Sequence, residues 1–241
     1  EKFNPNYFYH LAAQSSLQFS LKNPVKDIST NFLPIVHIVE SLKKTKCKKI
    51  IFTSSAAVYG ESTEKFSKES SITNPLTPYG ISKLATEHYI KYFSSISKLP
   101  YCIFRFSNVY GPKQDDSTEG GVISIFIKKM IDNQEITIYG NGNQSRDFIY
   151  VNDVVNALNK AKLNNFSGIF NVSTRKETKI IDVFNMLSEK IKYQKKPKFV
   201  SSNQFDVKRS RLDNLLIKNK FKWSPKISLT KGLDLTINYF K

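Results

Sequence analysis

The stretch KIIFTSSAAVYG, residues 49–60, decides the fold because it joins an unbroken apolar run to a turn of small and hydroxyl residues. An apolar run without alternation is typical of a parallel strand buried on both faces. A second such run, YCIFRF, lies at residues 101–106, and a shorter one, YFYHL, at residues 7–11. Residues 27–42 and 79–97, between these runs, carry apolar side chains at helical spacing. This alternation predicts an α/β fold with a doubly wound parallel sheet and right-handed crossovers.

The second half of the chain is less regular and predicts a smaller α/β lobe folded over the sheet. We expect the sheet domain to span residues 1–120. The lobe should occupy mainly residues 121–241, with some segments returning to the sheet. Apolar periodicity predicts its helices at residues 122–131, 152–162, 180–191 and 229–240, and its strands at residues 136–138 and 169–172.

The composition argues against several functional classes. The chain of 241 residues has a formal net charge of +17, but its lysines are spread along the whole sequence. A nucleic-acid site would cluster them, so we interpret the charge as a lysine-rich surface and expect no nucleic-acid partner. No apolar run approaches the roughly 18–20 residues of a membrane helix, so no membrane association is expected. Cys47 and Cys102 stand far apart without a His/Cys cluster, which predicts no disulfide, no metal site and a reducing cytoplasm.

Tyr79 and Lys83 form a Y-x-x-x-K pattern at the start of the predicted helix 79–97. Residues at i and i+4 share one face of a helix. An ammonium beside a phenol stabilises the phenolate and lowers the tyrosine pKa, which would make Tyr79 a general base for a hydroxyl proton. The pattern occurs by chance in many helices, so an ordinary surface pair is the alternative.

Polar residues follow the predicted strands at their carboxyl ends, where ligands bind in open α/β sheets. Ser55 follows the strand that begins at Lys49 and can hydrogen-bond a reacting oxygen. Asn108, after the strand at residues 101–106, can hold a sugar or phosphate oxygen, and the guanidinium of Arg146 suits a phosphate. Each of these residues, taken singly, could be structural.

Taken together, these blocks resemble the extended short-chain dehydrogenase/reductase family, and within it the UDP-glucose 4-epimerase group. The resemblance covers nearly the whole chain, from HLAAQ at residues 10–14 to WSPK at residues 223–226. It implies a Rossmann-type sheet that binds NAD within residues 1–120 and a nucleotide-sugar lobe within residues 121–241. It also implies NAD-dependent 4-epimerisation of a UDP-hexose through a 4-keto intermediate.

The resemblance also implies a role for each matching residue. Tyr79, as phenolate, removes the proton of the sugar C4 hydroxyl, while Ser55 binds the C4 oxygen. Lys83 tunes Tyr79 and hydrogen-bonds the nicotinamide ribose. The hydride passes from C4 to NAD and returns to the other face after the sugar turns over. The implied cofactor residues are Ala12, Ala13, Asn31, Thr53, Tyr79, Lys83 and Phe106. The residues implied to hold the nucleotide sugar are Ser55, Asn108, Val122, Tyr139, Arg146 and Asp206.

Ala56 and Ala57 bear on which reaction of the family is catalysed. The dehydratases and decarboxylases carry acidic residues just after the Ser/Thr of this block, where the acids drive elimination or assist decarboxylation. Alanine cannot exchange protons. The pair therefore favours an epimerase, with those sister reactions as the alternative.

The chain departs from the family pattern in two places. It lacks the glycine-rich turn G-x-x-G-x-x-G that seats a pyrophosphate on a helix N-terminus, so we expect roughly 60 residues and the first strands to be missing. The strand at residues 7–11 would then be an exposed, aggregation-prone apolar edge, and NAD would bind weakly. Asn203 stands where the family has an arginine that grips the diphosphate. The cations that could compensate are Lys208, Arg209 and Arg211.

Two further classes of function stay open. A catalytically silent scaffold is favoured by the missing glycine turn and opposed by the presence of Ser55, Tyr79 and Lys83 together. A nucleic-acid binder rests on charge alone and requires steeply salt-dependent binding. For the enzyme, the resemblance implies a homodimer formed by a bundle of the helices near residues 29–42 and 79–97.

Overall fold

The structure, a computed structural model, describes residues 4–114, 120–164, 166–202 and 207–241. The first half contains β1 (Tyr7–His10), α1 (Leu17–Lys22), α2 (Pro24–Asn31), α3 (Leu33–Leu42), β2 (Lys49–Ser55), α4 (Pro78–Ser97), β3 (Tyr101–Phe106) and β4 (Asn108–Tyr110). A 3-10 helix, Ala56–Val58, follows β2 directly. The second half contains α5 (Val122–Ile131), β5 (Thr137–Tyr139), β6 (Ser145–Arg146), β7 (Phe148–Tyr150), α6 (Val151–Lys162), β8 (Gly168–Val172), β9 (Thr178–Lys179), α7 (Ile180–Ile191), β10 (Lys198–Val200), β11 (Arg209–Ser210), α8 (Leu215–Phe221) and α9 (Leu229–Phe240).

The main sheet has four parallel strands in the order β1-β2-β3-β8, which confirms the predicted parallel α/β fold. β8 comes from the second half of the chain and pairs with β3. Because β2 lies between β1 and β3, all of its residues are buried except the last, Ser55, which is half-buried. Among the described strands, β1 has a neighbour on one side only, and Tyr7 and Leu11 are 36% and 52% exposed.

Alternation along β2 divides the core between the two faces of the sheet. Ile50 and Phe52 pack with α3 and α4 through a cluster that includes Ile35, Val39, Ile90, Phe93 and Ile103. Ile51 packs on the other face with residues of α6 and α8 and with Trp223. Both faces are therefore covered by helices, as a doubly wound sheet requires. A third cluster, which includes Phe126, Phe148, Val183 and Leu233, forms the core of the second half.

The single helix predicted for residues 27–42 is in fact two helices, α2 and α3, that meet at Phe32. Pro34 is the second residue of α3 and has no N–H to continue the hydrogen-bond ladder of α2. The sequence offered Asp27, Ser29 or Thr30 as the cap of this helix, and all three are wrong, because Asn23 is the N-cap of α2 and the three residues lie inside it. No helix of the described ranges has the length and apolar composition needed to cross a membrane.

Candidate active site

The carboxyl ends of β1, β2 and β3 meet at one edge of the sheet. Strand register sets Ser55 opposite Phe106 and His10 opposite Phe52. The two alanines that follow β1, Ala12 and Ala13, are exposed. Small and polar residues therefore border this edge, which is where an open α/β sheet binds its ligand.

Ser55 and Tyr79 lie together at this edge, where the Ser55 hydroxyl lowers the pKa of Tyr79. Ser55 ends β2 and also caps the 3-10 helix, its Oγ accepting from the Ala57 N–H at 3.2 Å. Tyr79 is the second residue of α4, which begins after the N-cap Thr77. α4 can start this close to β2 because Gly80 has no side chain: a Cβ there would lie 2.7 Å from the carbonyl oxygen of Ala57.

Lys83 is buried one helical turn after Tyr79. Its Nζ donates to the carbonyl oxygen of Thr53 at 2.9 Å and lies 5.8 Å from the centre of the Tyr79 ring. Burial lowers the pKa of Lys83 to about 8, although two nearby carboxylates raise it. An ammonium has three N–H donors, and the contacts within the described chain use one of them. Lys83 thus retains donors for the hydroxyl groups of a ligand.

The acidity of Tyr79 differs from the expectation drawn from the Y-x-x-x-K pattern. Burial raises the pKa of Tyr79 to about 12, and although the hydrogen bond with Ser55 lowers it, the negative charge of Asp27 raises it. The Lys83 ammonium is bound to the Thr53 carbonyl rather than to the phenol oxygen. The expectation that Lys83 alone brings Tyr79 toward neutral pH is therefore wrong, because desolvation of the phenolate outweighs the more distant ammonium.

Asn31 fastens the loop that carries Ala12 and Ala13. Its Oδ1 accepts from the Gln14 N–H at 2.8 Å, and its Nδ2 donates to the Gln14 carbonyl at 3.0 Å. The same Nδ2 donates to Asp27 Oδ1 at 3.0 Å. Because Asn31 is buried and its polar atoms are occupied, it can act on a ligand only by holding this loop in place.

Asp27 was not recognised as a site residue from the sequence. The signal that could have revealed it is its spacing from Asn31, because residues at i and i+4 meet on one face of a helix.

Beside Lys83, a buried ion pair joins α4 to β3. Glu87, one turn after Lys83, binds Arg105 through Nη2–Oε2 at 2.6 Å and Nε–Oε1 at 2.9 Å. Ser54 Oγ donates to Glu87 Oε1 at 2.5 Å, and the guanidinium lies 4.8 Å from the centre of the Tyr59 ring. The network connects the strands that carry the site to the helix that carries its tyrosine and lysine.

Three residues expected to hold the nucleotide sugar lie on separate elements of the chain. Asn108 begins β4 and is exposed, and its N–H donates to the Asp147 carbonyl at 2.8 Å. Val122 is the first residue of α5 and is half-buried. Tyr139 ends β5 and is 59% exposed. None of these three forms a hydrogen bond with Ser55 or Tyr79 within the described residues, and their role in binding stays a prediction.

The arginines expected to bind phosphate lie on or next to a small sheet of β11, β6 and β9. Arg146 lies on β6 and is half-buried, its Nη1 donating to the Ser145 carbonyl at 2.8 Å. Arg209 and Arg211 both bind Glu177, at 2.8 Å and 2.9 Å. Two of the three cations expected to compensate for the missing arginine are therefore engaged with one carboxylate. Asn203 and Asp206 lie outside the described residues.

The fold and this edge together define a class of protein, a Rossmann-type enzyme with a Ser–Tyr–Lys group. A sequence model of the NAD dependent epimerase/dehydratase family matches residues 1–173, and the chain belongs to this family.

Individual relatives agree with this assignment. The chain is 40% identical over 233 residues to a putative UDP-glucose 4-epimerase of Methanocaldococcus jannaschii, covering 96% of this chain and 76% of that protein. The UDP-glucose 4-epimerase of Thermotoga maritima, solved with UDP-glucose, superposes with a TM-score of 0.95 at 39% identity, covering 98% and 77% of the two chains. The Thermus thermophilus UDP-glucose 4-epimerase, solved with NAD, gives a TM-score of 0.91 at 31% identity, covering 98% and 78%.

The residues at the sheet edge fit the nicotinamide end of the family's cofactor. Ala12 and Ala13 are small and exposed above β1, and Lys83 has donors left for ribose hydroxyls. Phe106 ends β3 at the same edge, and Thr53 lies two residues before the end of β2. These residues, with Tyr79, would hold the cofactor, while Asn31 would act through the loop it fastens.

Proposed function

We propose that the protein catalyses NAD-dependent 4-epimerisation of a UDP-hexose through a 4-keto intermediate, with Tyr79 as the base. The observation that carries the proposal is the grouping of Ser55 and Tyr79 with the buried Lys83 at the carboxyl edge of the sheet, where Lys83 Nζ lies 5.8 Å from the centre of the Tyr79 ring. Similarity to UDP-glucose 4-epimerases over nearly the whole chain supports it.

The chain's own groups handle the proton of the sugar C4 hydroxyl. Ser55 Oγ binds the C4 oxygen and orients its proton toward Tyr79 Oη, which takes the proton in one half of the reaction and returns it in the other. Lys83 supplies a positive charge beside the phenol. When bound, NAD would supply the hydride acceptor for C4 and a positive charge on its nicotinamide ring. Two cations offset the burial that otherwise raises the pKa of Tyr79 to about 12.

Ala56 and Ala57 support an epimerase against its sister reactions. Both residues lie in the 3-10 helix that follows Ser55, and both are half-buried. A dehydratase needs an acid there to protonate the leaving hydroxyl, and neither alanine has a proton to exchange. The pair therefore favours renewed reduction of the keto sugar over elimination or decarboxylation.

For the rest of the substrate, we propose that Asn108, Val122, Tyr139 and Arg146 hold the nucleotide sugar together with Asp206. This assigns residues 1–120 to a cofactor domain and residues 121–241 mainly to a substrate lobe. Arg146 would bind the diphosphate because a guanidinium offers a fork of donors to phosphate oxygens.

A homodimer is the proposed assembly. The outer faces of α3 and α4 expose large apolar side chains, each between 49% and 61% exposed: Leu33, Ile81, Tyr92 and Ile96. Light scattering should give twice the monomer mass, and a monomer would contradict this proposal. We further propose a cytoplasmic location, which the unpaired thiols of Cys47 and Cys102 support.

The decisive experiment incubates the protein with NAD and either UDP-galactose or UDP-N-acetylglucosamine and follows the C4 epimer by NMR. Tyr79→Phe should abolish epimer formation because it removes the acidic hydroxyl while leaving the ring. Tyr92→Phe is the matched control, since Tyr92 lies on the same helix and is 61% exposed. Turnover that survives in Tyr79→Phe would exclude the proposed base. Bound NAD without turnover of either sugar would point to another nucleotide sugar or a sister reaction, and a protein that binds no NAD would point to the silent scaffold.

A further inference from the structure

Asp27 is a fully buried carboxylate with one oxygen unused. Its Oδ1 accepts from Gln14 Nε2 at 2.8 Å and from Asn31 Nδ2 at 3.0 Å. Its Oδ2 has no hydrogen-bond partner within the described chain, and Asp27 forms no ion pair with a described lysine or arginine. A buried charge without a partner is costly and requires a compensating charge nearby.

The packing of α2 on α4 brings Asp27 near Lys83. Thr86 Oγ1 of α4 donates to the carbonyl oxygen of Asn31, the residue one turn after Asp27 on α2. Lys83 lies one turn before Thr86 on the inner side of α4 and is 3% exposed. Asp27 and Lys83 are thus both buried, on two helices that pack directly against each other.

The other ionisable groups around Lys83 leave its charge unbalanced. Glu87, on the same helix, is neutralised by the two hydrogen bonds from Arg105 of β3. His10 of β1 is neutral, because burial and, as the smaller cause, the charge of Lys83 together lower its pKa to about 4. Tyr79 is neutral as well, since its pKa is raised to about 12. Of the two carboxylates that act on Lys83, Asp27 is the one without a cationic partner in the described part of the chain.

We infer that Asp27 is the buried counter-charge of Lys83, a positioning residue that keeps the ammonium charged beside Tyr79. Its part in catalysis rests on the proposed function, whereas the electrostatic pairing does not. The directions agree with this role, because the charge of Asp27 raises the pKa of Lys83 and also that of Tyr79. Asp27 therefore sets the pH range in which a charged lysine and an ionisable phenol coexist.

The test measures the titration of Lys83 directly. Lysine labelled with ¹³C at Cε gives one NMR signal per side chain, and the signal absent from Lys83→Arg belongs to Lys83. In Asp27→Asn, which keeps the shape but removes the charge, the Lys83 midpoint should fall by about one pH unit or more. Gln14→Ala is the matched control, because it removes a neutral hydrogen bond to the same carboxylate and should leave the midpoint in place. Asp27→Glu, which keeps the charge, should hold the midpoint near that of the wild type.

Removing the charge of Asp27 should also displace the whole pH profile of kcat/KM. Both limbs of the profile of kcat/KM should move to lower pH in Asp27→Asn, since Lys83 loses its proton more easily and Tyr79 does too. A purely structural role would lower the height of the profile without moving its limbs.

An unchanged Lys83 midpoint in folded Asp27→Asn overturns the inference. If that variant does not fold, Asp27→Ser, which also removes the charge, is titrated in its place, and an unchanged Lys83 midpoint there overturns the inference. Absence of epimerisation together with a displaced Lys83 midpoint would refute the proposed function and leave the counter-charge standing. Epimerisation with an unmoved Lys83 midpoint would support the proposed function and overturn the counter-charge.

Discussion

Two ion pairs of equal length allow the effect of burial to be measured in one molecule. Glu87 and Arg105 meet at 2.6 Å with side chains 1% and 4% exposed, and Glu40 and Lys43 meet at 2.6 Å with side chains 56% and 41% exposed. Glu87→Gln leaves the guanidinium buried without a counter-charge, which costs about 3–5 kcal/mol of unfolding free energy. Glu40→Gln loses a solvated pair, which costs about 0–1 kcal/mol.

Urea unfolding followed by fluorescence measures both losses with one intrinsic probe. Trp223 is the single tryptophan of the sequence, and it is buried with its Nε1 donating to the Asp153 carbonyl at 3.1 Å. For a chain of this size the loss in Glu87→Gln should lower Tm by about 6–20 °C.

A double replacement separates the charge from the packing. Glu87→Leu combined with Arg105→Met should recover most of the stability lost in Glu87→Gln, because no unpaired charge remains in the interior. A loss in Glu87→Gln as small as the loss in Glu40→Gln would refute the reasoning that burial decides the contribution of these pairs.

Three further predictions concern other parts of the molecule. In Gly232→Ala the new Cβ would lie 2.0 Å from Tyr110 Oη, so the unfolding free energy should fall by about 1–3 kcal/mol in calorimetry, with partial recovery when Tyr110→Phe is added; no loss would contradict the close contact. The hydrogen bonds from Arg209 lower the pKa of Glu177 to about 2. The ionised Glu177 therefore stabilises the folded chain above the unfolded pKa of a glutamate, near 4.3, and this stabilisation is lost as pH falls toward about 2. The free energy of unfolding, measured in urea across that range, should fall with decreasing pH in the wild type and should fall less steeply in Glu177→Gln. Because the pKa of Lys83 is lowered to about 8, kcat/KM should decline as pH rises past about 8, whereas a flat profile through this range would contradict a role for the charged lysine.

The helices predicted from periodicity agree closely with the structure where a single apolar face packs on one core. Residues 122–131, 180–191 and 229–240 coincide with α5, α7 and α9. The periodicity failed at Phe32, because the apolar spacing continues across a break that the backbone of Pro34 imposes. The two-residue strands β6, β9 and β11 were missed, since only pairing with a neighbouring strand defines them and two residues show no alternation.

The arrangement of the site was partly accessible from the sequence. The spacing of Tyr79 and Lys83 and the strand before Ser55 predicted three side chains that the structure groups at one sheet edge. The acidity of Tyr79 was not accessible, because desolvation depends on what the surrounding elements cover. Asp27 was also missed, since its unused oxygen is recognisable only once α2 is packed against α4.

The position of β8 bears on how the chain folds during synthesis. About 60 residues leave the ribosome between β3 and β8, which takes several seconds at about 5–20 residues per second. Until β8 emerges, the nascent sheet ends at β3, whose unpaired backbone groups form an apolar edge open to chaperones or to other chains. The active-site strands are therefore translated long before β8 completes their sheet. The rate of translation between residues 107 and 172 governs how long the edge of β3 is exposed.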